Sequence, residues 1–369
     1  MRQIYDVAII GGGAIGCAVS YFLTKKQVKC VIFDRGDIGS GASGASAGMV
    51  SPVWHVDRRN IPLFELGLRS LSLFPIVAQE LANEGVDPEF RPGGVLKVAT
   101  TPHELKTLLD DLSWQEQLGL HIRAFSRDEV REREPLISPR VLGGVFSPTE
   151  GQVNARRFVD GLAHSSMRRG VEVRANTEVL GLTQATKGGA VGVHTPSATY
   201  LARHVVVTAG HWTRLFDGWG YRFPVVPVKG QRILLRRVGF VPSSVVYSFN
   251  GTTVPQRDGS IIVGATREKG RADTNPTLSS LQRVMRQALR LWPVLREAIF
   301  VEARVGVRPG SVDDIPILGP LPNWPSVSIA TGHDWAGTML SLGTGEIMAQ
   351  YITSGDPTPL ADFSISRFV

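Results

Sequence analysis

The chain has 369 residues, of which 43% are hydrophobic and 20% charged, so disordered, collagen-like and coiled-coil classes are excluded. At about 150 residues per domain this length predicts two domains, or three. The formal net charge is +7, but the basic residues form no run of five or more, and we therefore expect no nucleic-acid partner.

The first 34 residues predict a strand, a helix and a second strand. Residues 5–10 form a continuous apolar run, as in a strand buried on both faces of a parallel sheet. Residues 14–25 carry apolar side chains at helical spacing, and residues 28–33 form the second strand. This unit predicts an α/β domain.

The turn between the first strand and the helix reads Gly11-x-Gly13-x-x-Gly16. Glycines at this spacing serve a tight turn, the approach of a pyrophosphate and close helix–strand packing, and the helix N-terminus offers free N–H groups. Asp34 ends the second strand 18 residues after Gly16, where an acidic side chain binds ribose hydroxyls. We expect a dinucleotide here; the alternative is a glycine turn with a surface aspartate.

Residues 36–50, GDIGSGASGASAGMV, predict a loop that lies close to a ligand, with Ser43 and Ser46 able to bind phosphate or ribitol oxygens. A flexible linker has the same composition. Further helices are predicted at 61–83, 102–118, 127–134, 155–169 and 279–298, with a closing helix at 343–352. Strands are predicted at 90–99, 171–174, between 178 and 207, and at 301–308. Residues 225–263 alternate with period two and predict an antiparallel sheet.

Several segments resemble the glycine oxidase and D-amino-acid oxidase superfamily of FAD flavoproteins, and together they cover most of the chain. They are GGGAIG at 11–16, Asp34, Ala47–Gly48–Met49, Gly151–Gln152–Val153–Asn154, VVVTAGHW at 205–212, VVPVKGQ at 225–231, VGAT at 263–266, GVRPGSVDDIPILGP at 306–320 and ATGHDWAGTMLSLGTG at 330–345. The resemblance implies non-covalent FAD, a substrate beneath the second sheet, and oxidation of a C–N bond in a small amino or imino acid.

The predicted fold class is α/β, α+β overall, with a Rossmann-like FAD-binding domain interleaved with an antiparallel-sheet substrate domain. We predict that residues 1–85, 145–215 and 306–369 form the FAD-binding domain. Residues 86–144 and 216–305 are predicted to form the substrate-binding domain.

The glycine motif and the resemblance together predict the residues that bind FAD. They are Gly11, Gly13, Ala14, Ile15, Gly16, Asp34, Arg35, Ala42, Ser43, Ser46, Ala47, Gly48, Met49, Val179, Ala209, Gly210, His333, Asp334, Trp335, Ala336, Gly337, Thr338 and Met339. Residues 332–339 resemble the loop at the flavin's pyrimidine end, where backbone N–H groups stabilise the charge of reduction. Gly337 and Gly343–Gly345 are expected to permit that approach; the alternative is a glycine turn before the last helix.

The resemblance implies that Arg308 holds the substrate carboxylate, for which guanidinium geometry is suited. The alternative is an arginine that pairs with Asp313 or Asp314 to fix the turn. Arg304 is expected to be a surface charge. His55 and His333 are pocket candidates, although a structural histidine is the favoured interpretation.

Three positions depart from the glycine oxidase pattern: a tyrosine there is Thr252 here, an arginine is Trp335, and a methionine is Arg267. Tyr247 or Asn250 is a candidate to replace the lost hydrogen bond. Stacking on Trp335 favours a flat or cyclic imino acid, and Arg267 is a candidate for a second anionic group. Both hypotheses argue against glycine as the substrate.

No side chain is expected to act as general base, because hydride can leave Cα of a neutral amine for flavin N5 while the nitrogen lone pair stabilises the iminium. Hydrolysis then gives the oxo acid, and oxygen or another acceptor takes the electrons. One alternative is the FAD subunit of a multi-subunit dehydrogenase for hydroxyproline, opines, proline or cyanogenic glycine oxidation. Another is an FAD-binding protein without amine oxidation.

The sequence contains two cysteines, Cys17 and Cys30, and no run of 18 apolar residues. We expect a cytoplasmic protein with no metal site, and peripheral membrane association, a homo-oligomer or a partner subunit remain open.

Overall fold

The structure is a computed structural model that describes residues 4–53, 60–118, 120–184, 189–216 and 222–368; the candidate His55 lies outside these residues. The helices are α1 Ala14–Lys25, α2 Ala42–Ala45, α3 Ile61–Asn83, α4 Pro102–Gln117, α5 Arg127–Arg133, α6 Ala155–Arg168, α7 Leu278–Leu291 and α8 Gly337–Ser354. Short 3-10 helices cover Gly210–Phe216, Pro293–Glu297, Asp334–Ala336, Thr358–Phe363 and Ile365–Phe368.

Strands are present in every region where they were predicted, and further strands at residues 49–50, 123–126, 143–147, 151–152, 268–269, 317–321 and 324–331 were not predicted. The strands are β1 Ile4–Ile10, β2 Cys30–Phe33, β3 Met49–Val50, β4 Val95–Ala99, β5 Arg123–Ser126, β6 Gly143–Ser147, β7 Gly151–Gln152, β8 Glu172–Arg174, β9 Gly181–Gln184, β10 Val191–His194, β11 Thr199–Val207, β12 Val225–Arg236, β13 Val245–Ser248, β14 Gly251–Pro255, β15 Ser260–Gly264, β16 Glu268–Lys269, β17 Ile299–Ser311, β18 Ile317–Leu321 and β19 Trp324–Thr331.

The first sheet has eight strands in the described part of the chain, in the order β18-β19-β11-β1-β2-β8, with β10 and β9 added beside β11. Strand β1 lies parallel to both β2 and β11. Its apolar run is buried on both faces: Val7 and Ile9 pack in one core cluster, and Ala8 and Ile10 pack in another. Ligand sites of such sheets lie at the carboxyl ends of the parallel strands.

The second sheet has nine strands in the described residues, in the order β16-β12-β15-β14-β13-β4-β6-β5, with β17 paired to β12. Its pairs are antiparallel except for β13 and β4. The α/β class and the interleaved architecture are therefore confirmed. The domain division stays a prediction, and two of its boundaries, after residues 144 and 305, fall inside or beside strands of this sheet.

The last long helix begins six residues earlier than predicted, at Gly337 instead of Gly343. A Cβ on Gly343 would lie 2.8 Å from the carbonyl oxygen of Leu66, and a Cβ on Gly345 would lie 2.7 Å from the carbonyl carbon of Ala18. These two glycines let α8 pack closely on α3 and α1. This packing accounts for Gly343 and Gly345 without the flavin, and the expectation that they permit its close approach stays a prediction.

Helix α3 is, by length and composition, the one helix among the described residues that is apolar enough to cross a membrane. Its side chains Leu66, Phe74 and Leu81 are buried in the protein core. A core helix passes the same test of length and composition, and packing inside the fold explains its apolar character.

Candidate active site

One cavity of about 1030 Å³ runs between the two sheets and is lined by residues of both. The predicted cofactor residues line it with two exceptions, Gly16 and Ala336. All six predicted substrate residues line it as well. A volume of this size is at the upper end of ligand sites, as a dinucleotide together with a small substrate requires.

The glycine turn after β1 forms one end of the cavity. Gly11 has φ +112°, in the region that favours glycine, and a Cβ there would lie 2.5 Å from the carbonyl oxygen of Thr208. A Cβ on Gly16 would lie 1.9 Å from the carbonyl oxygen of Gly11. Gly16 therefore holds α1 against β1 from behind, which explains why it does not line the cavity.

Asp34 lies at the carboxyl end of β2 and accepts hydrogen bonds from the N–H groups of Gly12, at 2.7 Å, and Gly36, at 2.9 Å. Burial raises the pKa of this carboxyl. Each oxygen retains a second lone pair, so the carboxylate braces the glycine turn and can still accept from ribose hydroxyls.

The two serines of the small-residue loop bind protein groups with their oxygens. Ser43 Oγ accepts from the N–H of Ala14, the first residue of α1, at 2.9 Å. Ser46 Oγ accepts from the N–H of Gly48 at 3.1 Å and from Thr338 Oγ1 at 3.0 Å. Both hydroxyl protons are left to point at an acceptor, such as a phosphate or ribitol oxygen.

Two aromatic and basic groups enclose the same end of the cavity. Arg35 lies 5.1 Å from the ring of Trp212 and 3.7 Å from Glu178. Sequence reasoning placed Arg35 at the cofactor but missed Trp212. Trp212 lies two residues beyond Gly210, after the end of β11, and this position next to a predicted cofactor residue could have indicated it.

Beside the small-residue loop, the turn Asp334–Ala336 leads into the N-terminus of α8, where Gly337, Thr338 and Met339 line the cavity. The first N–H groups of a helix have no partner within it and carry the positive end of its dipole. Ala336 instead packs into the protein core, which corrects its predicted place in the lining.

His333 and Asp334 each hold a buried polar atom with no hydrogen-bond partner among the described residues, Nδ1 and Oδ1. The Nε2 atom of His333 lies 3.1 Å from Thr344 Oγ1. Buried polar atoms are nearly always paired in folded proteins. Unpaired atoms beside a helix N-terminus fit a polar ligand edge, such as the pyrimidine ring of a flavin.

Buried histidines make the fold sensitive to acid. Burial lowers the pKa of His204 to about 4 and that of His333 to about 3, whereas an unfolded histidine titrates near pH 6.5. Acid therefore protonates the unfolded chain first, and the stability that is present above pH 6.5 is lost as the pH falls. We expect each histidine to remove about 1.4 kcal/mol per pH unit below about pH 6.

Urea unfolding between pH 7.5 and 5 measures this loss. His204 forms a hydrogen bond with Ser328 Oγ at 2.7 Å and does not line the cavity. The variant His204→Asn therefore removes one of the two buried histidines that take up a proton on unfolding, without changing the cavity. The variant should lose stability less steeply with acid than the wild type. An equal pH dependence of the free energy of unfolding in the wild type and the variant would contradict the role given to His204.

Arg308 projects from β17 into the middle of the cavity, where its Nη1 donates to the carbonyl oxygen of Thr266 at 3.0 Å. Its other N–H groups make no hydrogen bond with the described residues. Burial lowers the pKa of the guanidinium. Asp313 accepts from Arg367, and Asp314 accepts from Arg267, so the alternative in which Arg308 fixes this turn is wrong.

Arg267 lines the cavity, but its guanidinium is already paired. It lies 2.6 Å from the buried carboxylate of Asp334 and 2.7 Å from the exposed carboxylate of Asp314. Arg267 therefore ties the loop that holds Asp334 to the segment between β15 and β16 of the second sheet. This pairing does not support the hypothesis that Arg267 takes a second anionic group. Arg304 is exposed and paired with Glu302, as expected of a surface charge.

A hairpin and one aromatic ring close the substrate end. Tyr247 pairs directly with Thr252 across β13 and β14, and Asn250 lies in the turn between them. Burial raises the pKa of Tyr247, so its phenol is neutral. Trp335, 37% exposed, lines the cavity on the flavin-side loop. Helix α7 adds Arg283 and Gln287, which sequence reasoning missed.

A βαβ glycine turn and a helix N-terminus that line the same cavity are the features of a dinucleotide-binding protein. The chain matches the model of the DAO family, FAD dependent oxidoreductase, over residues 6–351. It is 31% identical to a glycine oxidase of Geobacillus kaustophilus over 374 residues, which cover 100% of this chain and 98% of that protein.

Two solved structures support the match. The crystal structure of glycine oxidase from Geobacillus kaustophilus aligns with a TM-score of 0.95 and 30% identity over 100% of both chains. Iminodiacetate oxidase from Chelativorans sp. BNC1 aligns with a TM-score of 0.88 and 26% identity over 97% of this chain and 98% of that one.

The chain belongs to the DAO family of FAD-dependent oxidoreductases. It is an enzyme that uses FAD to oxidise small amino acids at CH–NH2 or CH–NH groups. The resemblance seen in the sequence and the predicted cofactor are confirmed, whereas the roles of individual site residues stay predictions.

Proposed function

We propose that this enzyme oxidises a small amino acid with a secondary or cyclic amine, of the sarcosine or proline type, in preference to glycine. The observation that carries the proposal is Arg308, a buried cation in mid-cavity whose remaining N–H groups have no acceptor among the described residues. Such a guanidinium binds a carboxylate with two parallel hydrogen bonds. We therefore also propose that Arg308 binds the substrate carboxylate, as the sequence predicted.

Binding and orientation carry the reaction in this proposal. When bound, non-covalent FAD supplies the acceptor for the hydride that leaves the substrate Cα. Arg308 fixes the carboxylate and so sets the direction of the Cα–H bond. The N-terminus of α8 presents its positive charge to the cavity, where the pyrimidine end of the flavin would lie. Water then hydrolyses the imine to the oxo acid and the free amine.

Two titratable side chains that line the cavity, His333 and Tyr247, are poor proton carriers at neutral pH. Burial keeps His333 neutral, with a pKa of about 3, and burial raises the pKa of Tyr247. Neither gains or loses a proton between pH 5 and 8, which supports oxidation of an already neutral amine without a general base.

Shape supports the choice of amine. Thr252 leaves more room than a tyrosine would, and Trp335 offers a flat apolar face to the same cavity. An N-methyl or ring carbon gains apolar contact there that a primary amine lacks. The relatives named as oxidases support oxygen as the electron acceptor, and the free, buried cysteines Cys17 and Cys30 support a cytoplasmic location.

Anaerobic stopped-flow mixing of the FAD-loaded protein with glycine, sarcosine, D-alanine, D- and L-proline and D-hydroxyproline tests the proposal. We expect the flavin absorbance to bleach faster with sarcosine or a proline than with glycine. Clear preference for glycine would overturn the choice of amine. Admitting oxygen then separates the alternatives, because slow reoxidation would favour the dehydrogenase subunit that passes electrons to a partner.

A further inference from the structure

Helix α7 contributes two polar side chains to the cavity that the proposed reaction does not use. Arg283 and Gln287 are four residues apart, so they lie on one side of the helix, and both line the cavity. The neighbouring side of α7 buries Val284, Ala288 and Leu291 against the second sheet. A rigid, packed helix therefore sets the position of the two polar groups.

Neither side chain has a partner in the described part of the chain. Arg283 is exposed at the cavity and makes no ion pair or hydrogen bond with the described residues. Gln287 Oε1 is buried without a hydrogen-bond partner there, and it lies 3.2 Å from the place of a Cβ on Gly251. A buried amide left unpaired costs free energy that a ligand can restore.

The hairpin connects these groups to the substrate end. Gly251 lies between Asn250 and Thr252, which line the same cavity. A Cβ on Gly251 would also lie 3.5 Å from the carbonyl oxygen of Gly264, two residues before Thr266, whose carbonyl accepts from Arg308. Gln287 therefore lies against the hairpin that carries the cavity-lining residues Asn250 and Thr252.

Charge singles out Arg283 at this end. Arg267 and Lys269 face Asp314 and Asp334, so the four charges of that cluster cancel. Arg308 is assigned to the first carboxylate. Arg283 is the cation here with neither a carboxylate nor a backbone partner among the described residues, so a second anion is attracted to α7 and not to Arg267.

We propose that Arg283 and Gln287 form a second carboxylate subsite, and that the preferred substrate is a secondary-amine amino acid with a further carboxylate on its nitrogen or its side chain. The inference rests on the proposed function, in which Arg308 holds the first carboxylate. Arg283 pairs with the distal carboxylate, and the Gln287 amide, turned about its last bond, donates an N–H to it.

Matched substrates test the subsite in the FAD-loaded enzyme. N-(carboxymethyl)glycine is compared with sarcosine, and N-methyl-D-glutamate with N-methyl-D-glutamine, so that a carboxylate on the nitrogen and one on the side chain are tested separately. We expect KM to be at least about ten-fold lower for the dicarboxylate of one pair. Arg283→Gln should remove most of that ratio, and Arg286→Gln, on the same helix but outside the cavity lining, should keep it.

A binding measurement separates failure of this inference from failure of the proposed function. Glutarate and pentanoate are titrated against the flavin absorbance without turnover, and glutarate should bind about ten-fold more tightly to the wild type. Equal affinities, or a preference that survives Arg283→Gln, would overturn the subsite. If no amino acid bleaches the flavin but glutarate is preferred and the preference depends on Arg283, the subsite stands and the proposed function fails.

Discussion

Replacement of Arg308 by alanine is expected to raise KM for carboxylate substrates about 100-fold, because a charge-assisted bidentate grip is worth about 2–3 kcal/mol. The guanidinium lies in mid-cavity with one hydrogen bond, to the carbonyl oxygen of Thr266, so its loss removes few contacts within the protein. Substrate and transition state share this grip, and the turnover number should fall less than KM rises. Steady-state kinetics over the substrate panel measure both.

Arg304→Ala is the matched control, since this arginine lies on the same strand, is exposed and pairs with Glu302. It should leave KM within about two-fold, as surface pairs contribute little. Arg308→Lys restores the charge without the fork and should recover only part of the affinity. An unchanged KM in Arg308→Ala, with FAD still bound, would remove Arg308 from the carboxylate role.

Replacement of Gly16 by alanine is expected to yield protein without FAD. The added Cβ would lie 1.9 Å from the carbonyl oxygen of Gly11 and 2.6 Å from Thr208 Oγ1, and backbone atoms cannot turn away as a long side chain does. Relief requires α1 to move off β1, at about 1–3 kcal/mol, and the pyrophosphate turn moves with it. The ratio of flavin to protein absorbance, together with the melting temperature, measures both effects.

Gly93→Ala serves as the control, because a Cβ there meets nothing within 4 Å and its φ is not positive. It should keep FAD and the wild-type melting temperature. A Gly16→Ala protein that also retained full FAD would show that the turn tolerates a wider helix–strand gap.

The sequence predicted the site residues that lie within one short segment of the chain. The glycine turn and Asp34 lie within one βαβ unit, so their spacing alone predicted their place at one end of the cavity. The start of α8 was misplaced because Gly343 and Gly345 suggest a turn, whereas contacts with α1 and α3 make small residues favourable inside a helix. Contacts with helices that are distant in the sequence decide whether such glycines form a turn or lie inside a packed helix.

The substrate end depended on long-range pairing and was predicted less well. Arg267 was correctly placed at the cavity, but its partner Asp334 lies 67 residues further along the chain, and no pattern in the sequence joins them. Arg283 and Gln287 lie on an amphipathic helix whose exposed face has many polar residues. Nothing local separates the two that turn toward the cavity from those that face solvent.

The order of strands in the first sheet also governs when the enzyme can acquire its cofactor during synthesis. Strand β1 pairs with β11, about 200 residues later, and β11 pairs in turn with β19. The residues of the pyrophosphate turn therefore leave the ribosome long before β11 and before α8, which lines another part of the same cavity. FAD loading must await translation of residues 317–354, so truncated translation products should accumulate as colourless, aggregation-prone chains.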